Sequence, residues 1–207
     1  MNERTVITIS REYGSGGREL SQILAKKLGV KLYDRQIISL AAQDVGVEDM
    51  KFDKLKKFEE EVPALPVKFM PFYLFGVKAG PQTLNDKLFD SESEIIRRLA
   101  DDGPCVILGR CADYVLRRRK NTYSFYICAN DEFRAKRGQD VYEGRSLTEL
   151  NEEDLKRGGY YSHYTGRKWG DPKYYNLSIN TSYLSLEAAA DLIIHYVESL
   201  QAAEQAK

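Results

Sequence analysis

The sequence has no paired cysteines, almost no histidine and no net charge, and each of these absences narrows what the protein can be. Its three cysteines, Cys105, Cys111 and Cys128, lie in or beside apolar runs without the paired spacing of a metal site, so they read as buried thiols of a reduced protein. Of the two histidines, His163 has no Ser, Cys or metal-ligand pattern around it, and His195 falls inside the closing helix. Neither is assigned a role. With 31 basic against 31 acidic side chains there is no broad footprint for nucleic acid, although a local basic pocket remains open. No apolar run reaches the roughly 18 residues of a membrane span, and no signal-peptide core opens the chain. The expectation is a cytoplasmic protein without membrane or nucleic-acid partners. What is present is a chain of 207 residues, 43% hydrophobic and 30% charged, which suits one domain with a full core and room for an insertion.

Short β-rich runs alternate with helical periods. Thr5 to Ser10 is a buried strand that stops at polar residues and glycines. From Gly17 onward, Leu20, Ile23, Leu24 and Leu28 share one helical face, with Gly29 at the C-terminal cap position. Val30 to Tyr33 is a second strand with Asp34 at its end, and Ile37 to Val45 a helix. Residues 51–90 change character: a charged run and then four prolines, Pro63, Pro66, Pro71 and Pro81, mark a cap or monophosphate-binding insertion. Within it the run FMPFYLF, Phe69 to Phe75, is either a substrate cap or the surface of a homodimer. Ser91 and Glu94 form a capping-box pattern for the next helix. Strands follow at Cys105 to Leu108, Ser124 to Ala129 and Tyr175 to Asn180, with a charged helical stretch from Asp131 to Gly158 and a last helix capped by Ser185. This order predicts a parallel sheet of about five strands flanked by helices. In such sheets ligands bind beyond the carboxyl ends of the strands, where the Gly14 loop, Asp34, Gly109-Arg110 and the segment after Ala129 fall.

The stretch REYGSGGREL predicts a strand-to-helix anion loop, because backbone N–H groups can turn toward a phosphate only where glycine permits the dihedrals, and the following helix adds its positive end. Against the pattern G-x-x-x-x-G-K-[ST], only Gly16 is in register: Arg11 takes the first glycine position, Gly17 the lysine and Arg18 the Ser/Thr. Gly14, Ser15, Gly16, Gly17 and Arg18 are therefore the candidate cofactor loop. Arg18 or Arg11 supplies the missing charge, with Arg18 the first choice; the alternative is that Arg18 and Glu19 are surface residues of a first helical turn. A dinucleotide reading of Gly14-x-Gly16 fits less well, since the third glycine falls at Glu19.

Arg110, anchored behind a strand and Gly109, suits anion binding. Arg134 and Arg137 lie on one side of a helix, as ligand-facing cations or as a solvated face. The segment KRGGYYSHYTGRKWGD has paired glycines, aromatics and basic residues without an apolar period, as in a loop that closes over a ligand or one whose rings pack against the cap.

Taken in order, TISREYGSGGREL, LYDRQII, CVILGRCADYVL, FRAKR and KRGGYYSHYTGRKWGDPKYYNLSINTS resemble the cytidylate-kinase-like family, a branch of the P-loop nucleoside-monophosphate kinases. The resemblance covers nearly the whole chain and implies a single kinase-like domain over residues 1–207 with an arginine-bearing lid at 131–174. It also implies transfer of the γ-phosphate of ATP, with Mg²⁺, to a pyrimidine monophosphate such as CMP. No residue of the chain is assigned as a ligand of the metal. By this resemblance Asp34 and Arg110 bind substrate and Arg134, Arg137 and Arg157 belong to the catalytic lid; Arg35, next to Asp34, is added to the substrate residues, and Arg18 joins the catalytic ones as the substitute for the lysine. There are two departures: the lysine is absent at Gly17, and Cys111 stands where cytidylate kinases place an aspartate. Three readings remain open: an active nucleotide kinase with a modified loop, a nucleotide- or phosphate-binding sensor or scaffold without catalysis, and a kinase of another small molecule.

Overall fold

A computed structural model describes residues 4–47 and 83–206. Five strands, β1 (Val6–Arg11), β2 (Lys31–Tyr33), β3 (Cys105–Leu108), β4 (Thr122–Cys128) and β5 (Leu177–Asn180), form one sheet in the order β2-β3-β1-β4-β5. Every pairing is parallel. Alternation along the strands supplies both faces with core. Ile7, Ile9, Val106 and Leu108 point one way, into a cluster with Leu20, Leu24, Phe125 and Ile193. Val6, Cys105 and Ile107 point the other way, into a cluster with Ile37, Ile95 and Ile96.

The helices α1 (Gly17–Leu28) and α7 (Leu186–Gln205) pack together over the first face, and α2 (Arg35–Asp44) and α3 (Leu84–Asp102) over the second. The remaining α-helices among the described residues are the single turn α4 (Ala112–Val115), α5 (Asp131–Val141) and α6 (Leu147–Thr165), and two short 3-10 turns lie at Pro172–Tyr174 and Thr181–Tyr183. Gly29 caps α1 as expected, its N–H reaching the Ala25 and Lys26 carbonyls. Ser185 likewise accepts from the Ala188 N–H at the start of α7. Among the described residues no helix is long and apolar enough to cross a membrane.

Two expectations need correction. The helix before β3 starts at Leu84, with Thr83 and Asp86 forming its capping box, so Ser91 and Glu94 lie inside it. Thr83 holds the extended backbone a cap requires and accepts from the Asp86 N–H, which Ser91 in mid-helix does not. The second concerns KRGGYYSHYT, which is helix and not a closing loop. A capping box of Ser146 and Glu149 nucleates α6, and the helix runs through Gly158 and Gly159 to Thr165. Elsewhere strand and helix limits shift by a residue or two, the usual uncertainty of helix and strand ends. The run from Phe69 to Phe75, read as a cap or dimer surface, lies outside the described residues, as do residues 51–82 of the cap segment.

Candidate active site

The carboxyl ends of β1, β2 and β3 open onto a cavity of about 340 Å³. Its floor is the β1–α1 loop. Gly14 and Gly16 adopt φ of 82° and 78°, and a Cβ on either would press within about 3.3 Å of Arg134, Leu150 or Leu186. These glycines let the loop turn tightly under α5, α6 and the start of α7. Ser15 is fully buried and acts as an internal brace: its Oγ donates to the Glu12 carbonyl at 2.8 Å and accepts from the Gly17 N–H at 3.3 Å. Its own carbonyl accepts from Thr181 Oγ1 at 2.7 Å. The loop is built from side chains on three elements.

The outer half of the loop is held from α5 and α6. The Tyr13 N–H donates to Asp154 Oδ1 at 2.7 Å, and the Tyr13 carbonyl accepts from Arg134 Nε at 2.8 Å. Arg134 also meets Asp154 Oδ2 at 2.6 Å, and Arg157 meets Oδ1 at 3.3 Å. Burial pushes the Asp154 carboxyl up, while Arg157, the Tyr13 N–H and Arg134 pull it back. Arg134, a sequence candidate for catalysis, therefore faces the loop backbone and is 5% exposed. Its neighbour Arg137 turns to Glu19 on α1, 2.8 Å away. Arg157 lines the cavity, donates to the Arg11 carbonyl at 3.3 Å and stacks over the Tyr13 ring.

On the opposite wall Arg18, half exposed, pairs with Asp34 at 3.1 Å, and Arg35 lines the cavity beside it. Asp34 stands at the N-cap of α2 but makes no side-chain cap there. Gly109, Arg110 and Cys111 form a turn with φ of 75°, 58° and 52°. Left-handed backbone at two consecutive non-glycine residues costs on the order of 1 to 2 kcal/mol each, strain of the kind stored where a side chain must be aimed. Arg110 is aimed at the cavity with Glu92 of α3 behind it, 3.2 Å from Nη1. Glu92 is 1% exposed and also accepts from Tyr160 of α6 at 3.1 Å. Burial pushes Glu92 up to about 8 and Arg110 downward. The same burial drives the Cys111 thiol well above 9, so it is neutral and unreactive.

Charge in the cavity is one-sided. Arg11, Arg18, Arg35, Arg110, Arg145, Lys156 and Arg157 line it, against Glu12 and Asp34. Such a surface suits a compact polyanion. Sequence reasoning placed Lys156 in the basic segment beside Arg157 but missed Glu92, Asp154, Arg145 and Tyr160. Glu92 alone left a signal, an acidic residue on the apolar stripe of Leu88, Ile95 and Ile96. Of the histidines, His163 packs edge-on against Tyr164 and His195 lies along α7.

Comparison with known proteins fits this architecture. The family described as cytidylate kinase-like matches residues 6–183. No curated protein matches the chain. Among solved structures, an uncharacterized protein from Eubacterium ventriosum is 23% identical, with a TM-score of 0.68 over 94% of this chain and 99% of that one. A gluconokinase from Sinorhizobium meliloti is 12% identical, with a TM-score of 0.56 over 97% and 95%. An APS kinase from Mycobacterium tuberculosis, solved with AMPPNP and APS, is 14% identical, with a TM-score of 0.52 over 96% and 99%. The sheet and its helices are thus those of the P-loop kinases.

Proposed function

Because the chain belongs to the cytidylate kinase-like family, we propose that it is an ATP-dependent phosphotransferase whose acceptor is a small phosphorylated molecule, a nucleoside monophosphate of the CMP kind. The observation that carries this reading is that one basic cavity joins the Gly14–Gly17 loop to Asp34, Arg35 and Arg110. A donor phosphate chain and an acceptor phosphate can meet there, and alignment with charge neutralisation is most of what phosphoryl transfer asks of a protein.

The residues fit the groups this chemistry needs. The loop at the head of α1, with left-handed Gly14 and Gly16 and the helix dipole behind it, would hold the β- and γ-phosphates of ATP. Mg²⁺ characteristically takes one or two carboxylates besides phosphate oxygens and water, and of the two cavity carboxylates, Glu12 and Asp34, Asp34 would serve as its ligand. When bound, the ion neutralises charge on the phosphate oxygens. Arg110 would orient the acceptor phosphate, with Glu92 and Tyr160 holding its guanidinium in place. Arg157, Lys156 and Arg145 would close the charge shell from the α6 side. Arg134 would act through the loop backbone, as a positioning residue. Arg137, bonded to Glu19, would steady the loop from the α1 side. Cys111 carries no charge for reading a base amino group, so the phosphate, more than the cytosine, supports the assignment of acceptor.

The competing reading, a nucleotide-binding module without turnover, is favoured by Gly17 at the lysine position. Calorimetric titration with ATP–Mg²⁺ and with CMP, UMP, AMP and dCMP, followed by ADP detection on every binding pair, separates the two. Gluconate, a hydroxylated acceptor, is titrated beside them, because a gluconokinase shares the fold. The kinase reading expects ADP with at least one acceptor; tight binding without product on any of them supports the module and refutes the kinase.

A further inference from the structure

Of the three departures of the loop from G-x-x-x-x-G-K-[ST], at Arg11, Gly17 and Arg18, the first two are in contact. A Cβ at Gly17 would stand 2.5 Å from Arg11 Cβ and 3.0 Å from Arg11 Cγ. The Arg11 Cβ is fixed by its backbone and cannot swing aside, so a side chain at 17 and Arg11 as packed exclude each other. At its far end the Arg11 guanidinium lies against Gly109, where an added Cβ would overlap Nη1. Arg11 thus runs in a trough from the end of β1, across the head of α1, to the turn that carries Arg110. A glycine at each end makes the room.

Charge at this place is left uncompensated. Arg18 pairs with Asp34, Arg134 and Arg157 with Asp154, and Arg137 with Glu19, while Arg110 is held by the carboxyl of Glu92. Among the described residues the Arg11 guanidinium has no hydrogen bond or ion pair; its own backbone carbonyl is what Arg157 contacts. Burial, then the positive charges of Arg157 and Arg110, lower its pKa to about 9, with Asp34 and Asp154 opposing. The group still carries its charge at neutral pH. Arg11 is partly buried at the cavity wall, and an anionic ligand there would supply the partner its charge lacks.

We propose that Arg11 is the catalytic cation of this loop, entering from the strand end to occupy the place that a lysine reaches from the helix start, and that it meets the phosphoryl group passing between donor and acceptor. The proposal rests on the kinase reading for its reaction, and on the anion-binding cavity alone for its ligand class, a polyphosphate. In the transfer, an acceptor phosphate oxygen forms a bond to the γ-phosphorus of a nucleoside triphosphate as the bond to the β,γ-bridging oxygen breaks. The nucleoside diphosphate leaves with that electron pair. Arg11 forms no bond to phosphorus and gives up no proton; it balances charge on the moving oxygens.

The test uses the full chain and two probes, tripolyphosphate and ATP–Mg²⁺, titrated calorimetrically against wild type, Arg11→Met, Arg18→Met, Gly17→Lys and the exchange variant Arg11→Gly/Gly17→Lys. Lys27→Ala, at the far end of α1 against Asp191, controls for general loss of charge. Arg11→Met is expected to weaken tripolyphosphate binding at least about tenfold, and by clearly more than Arg18→Met, since charge-assisted contacts to phosphate are the strong ones. Gly17→Lys alone is expected to weaken it as well, and the exchange variant to recover to within about tenfold of wild type. Arg11→Met should melt no lower than wild type, which a structural arginine would not allow. Unchanged binding in Arg11→Met, no recovery in the exchange variant, or no binding of either probe to wild type overturns the proposal. If binding depends on Arg11 but no acceptor is turned over, the assignment of Arg11 as the anion-binding cation stands and the kinase reading fails. If Arg11→Met turns over an acceptor as wild type does, the kinase stands and Arg11 is not its cation; a drop in turnover on the order of 10³ supports both.

Discussion

Replacing Asp154 by alanine removes three contacts that join the loop to α5 and α6: the Tyr13 N–H at 2.7 Å, Arg134 at 2.6 Å and Arg157 at 3.3 Å. The cost follows mainly from Arg134, whose side chain is 6% exposed and would be left as an enclosed guanidinium. Breaking a buried pair by deleting one partner costs about 3 to 5 kcal/mol. Asp131 remains 3.6 Å from Arg134 but is 73% exposed, so it offsets little, and the lower end applies. At roughly 2 to 4 °C per kcal/mol for a domain of this size, a loss of about 3 kcal/mol lowers Tm by about 6 to 12 °C. Asp154→Asn keeps an oxygen for the Tyr13 N–H and should lose about half as much. Urea unfolding followed by fluorescence of Trp169, which lines the same cavity, reads both variants. Tripolyphosphate affinity should fall with stability, because the loop loses its outer anchor. A loss below about 1 kcal/mol in Asp154→Ala would refute the view that this carboxylate holds the loop.

Further tests follow from burial and backbone. The Glu92 carboxyl is raised from 4.5 to about 8, so the folded protein holds its proton more tightly than the unfolded chain does. Its contribution is fully present below about pH 4.5 and is lost as pH rises through about 8, with a slope of at most about 1.4 kcal/mol per pH unit. Glu12, Asp113 and Asp154 are shifted in the same direction. Urea midpoints should therefore decline from pH 5 to pH 8, and Glu92→Gln should flatten the decline; a midpoint that rises over this range contradicts the assignment. Gly159→Ala should stabilise the protein by about 0.5 to 1 kcal/mol, since α6 is regular helix there and an added Cβ meets open space. Gly138→Ala on α5 should instead cost about 1 to 3 kcal/mol, because its Cβ would overlap the Arg145 carbonyl oxygen. Paired thermal melts of the two variants check these opposite signs.

The alternation of strand and helix was legible because it rests on neighbours in sequence. Ile7 and Ile9 alternate over two residues, Leu20 and Leu24 repeat over four, and Gly29 ends its helix through its own left-handed backbone. The positions of the ligand-facing loops follow from that alternation, since a parallel sheet brings the carboxyl ends of its strands to one edge. Other features depended on the tertiary structure. The glycine pair Gly158-Gly159 signals a break locally, yet the Ser146 cap and the burial of Leu150 and Tyr161 carry the helix through it. The Tyr13 N–H finds Asp154 across 141 residues, and no local pattern encodes such a pairing. The loop shows the same division most plainly. Its glycines and missing lysine are plain in the string REYGSGGREL, and so are the arginines beside them. Which arginine lies in the space depends on Asp34, which pairs with Arg18, and on Gly17 and Gly109, which leave the room that Arg11 occupies. Sequence alone set where an anion loop stands, because that depends on backbone freedom; packing decided which side chain enters it, because two groups cannot share one volume.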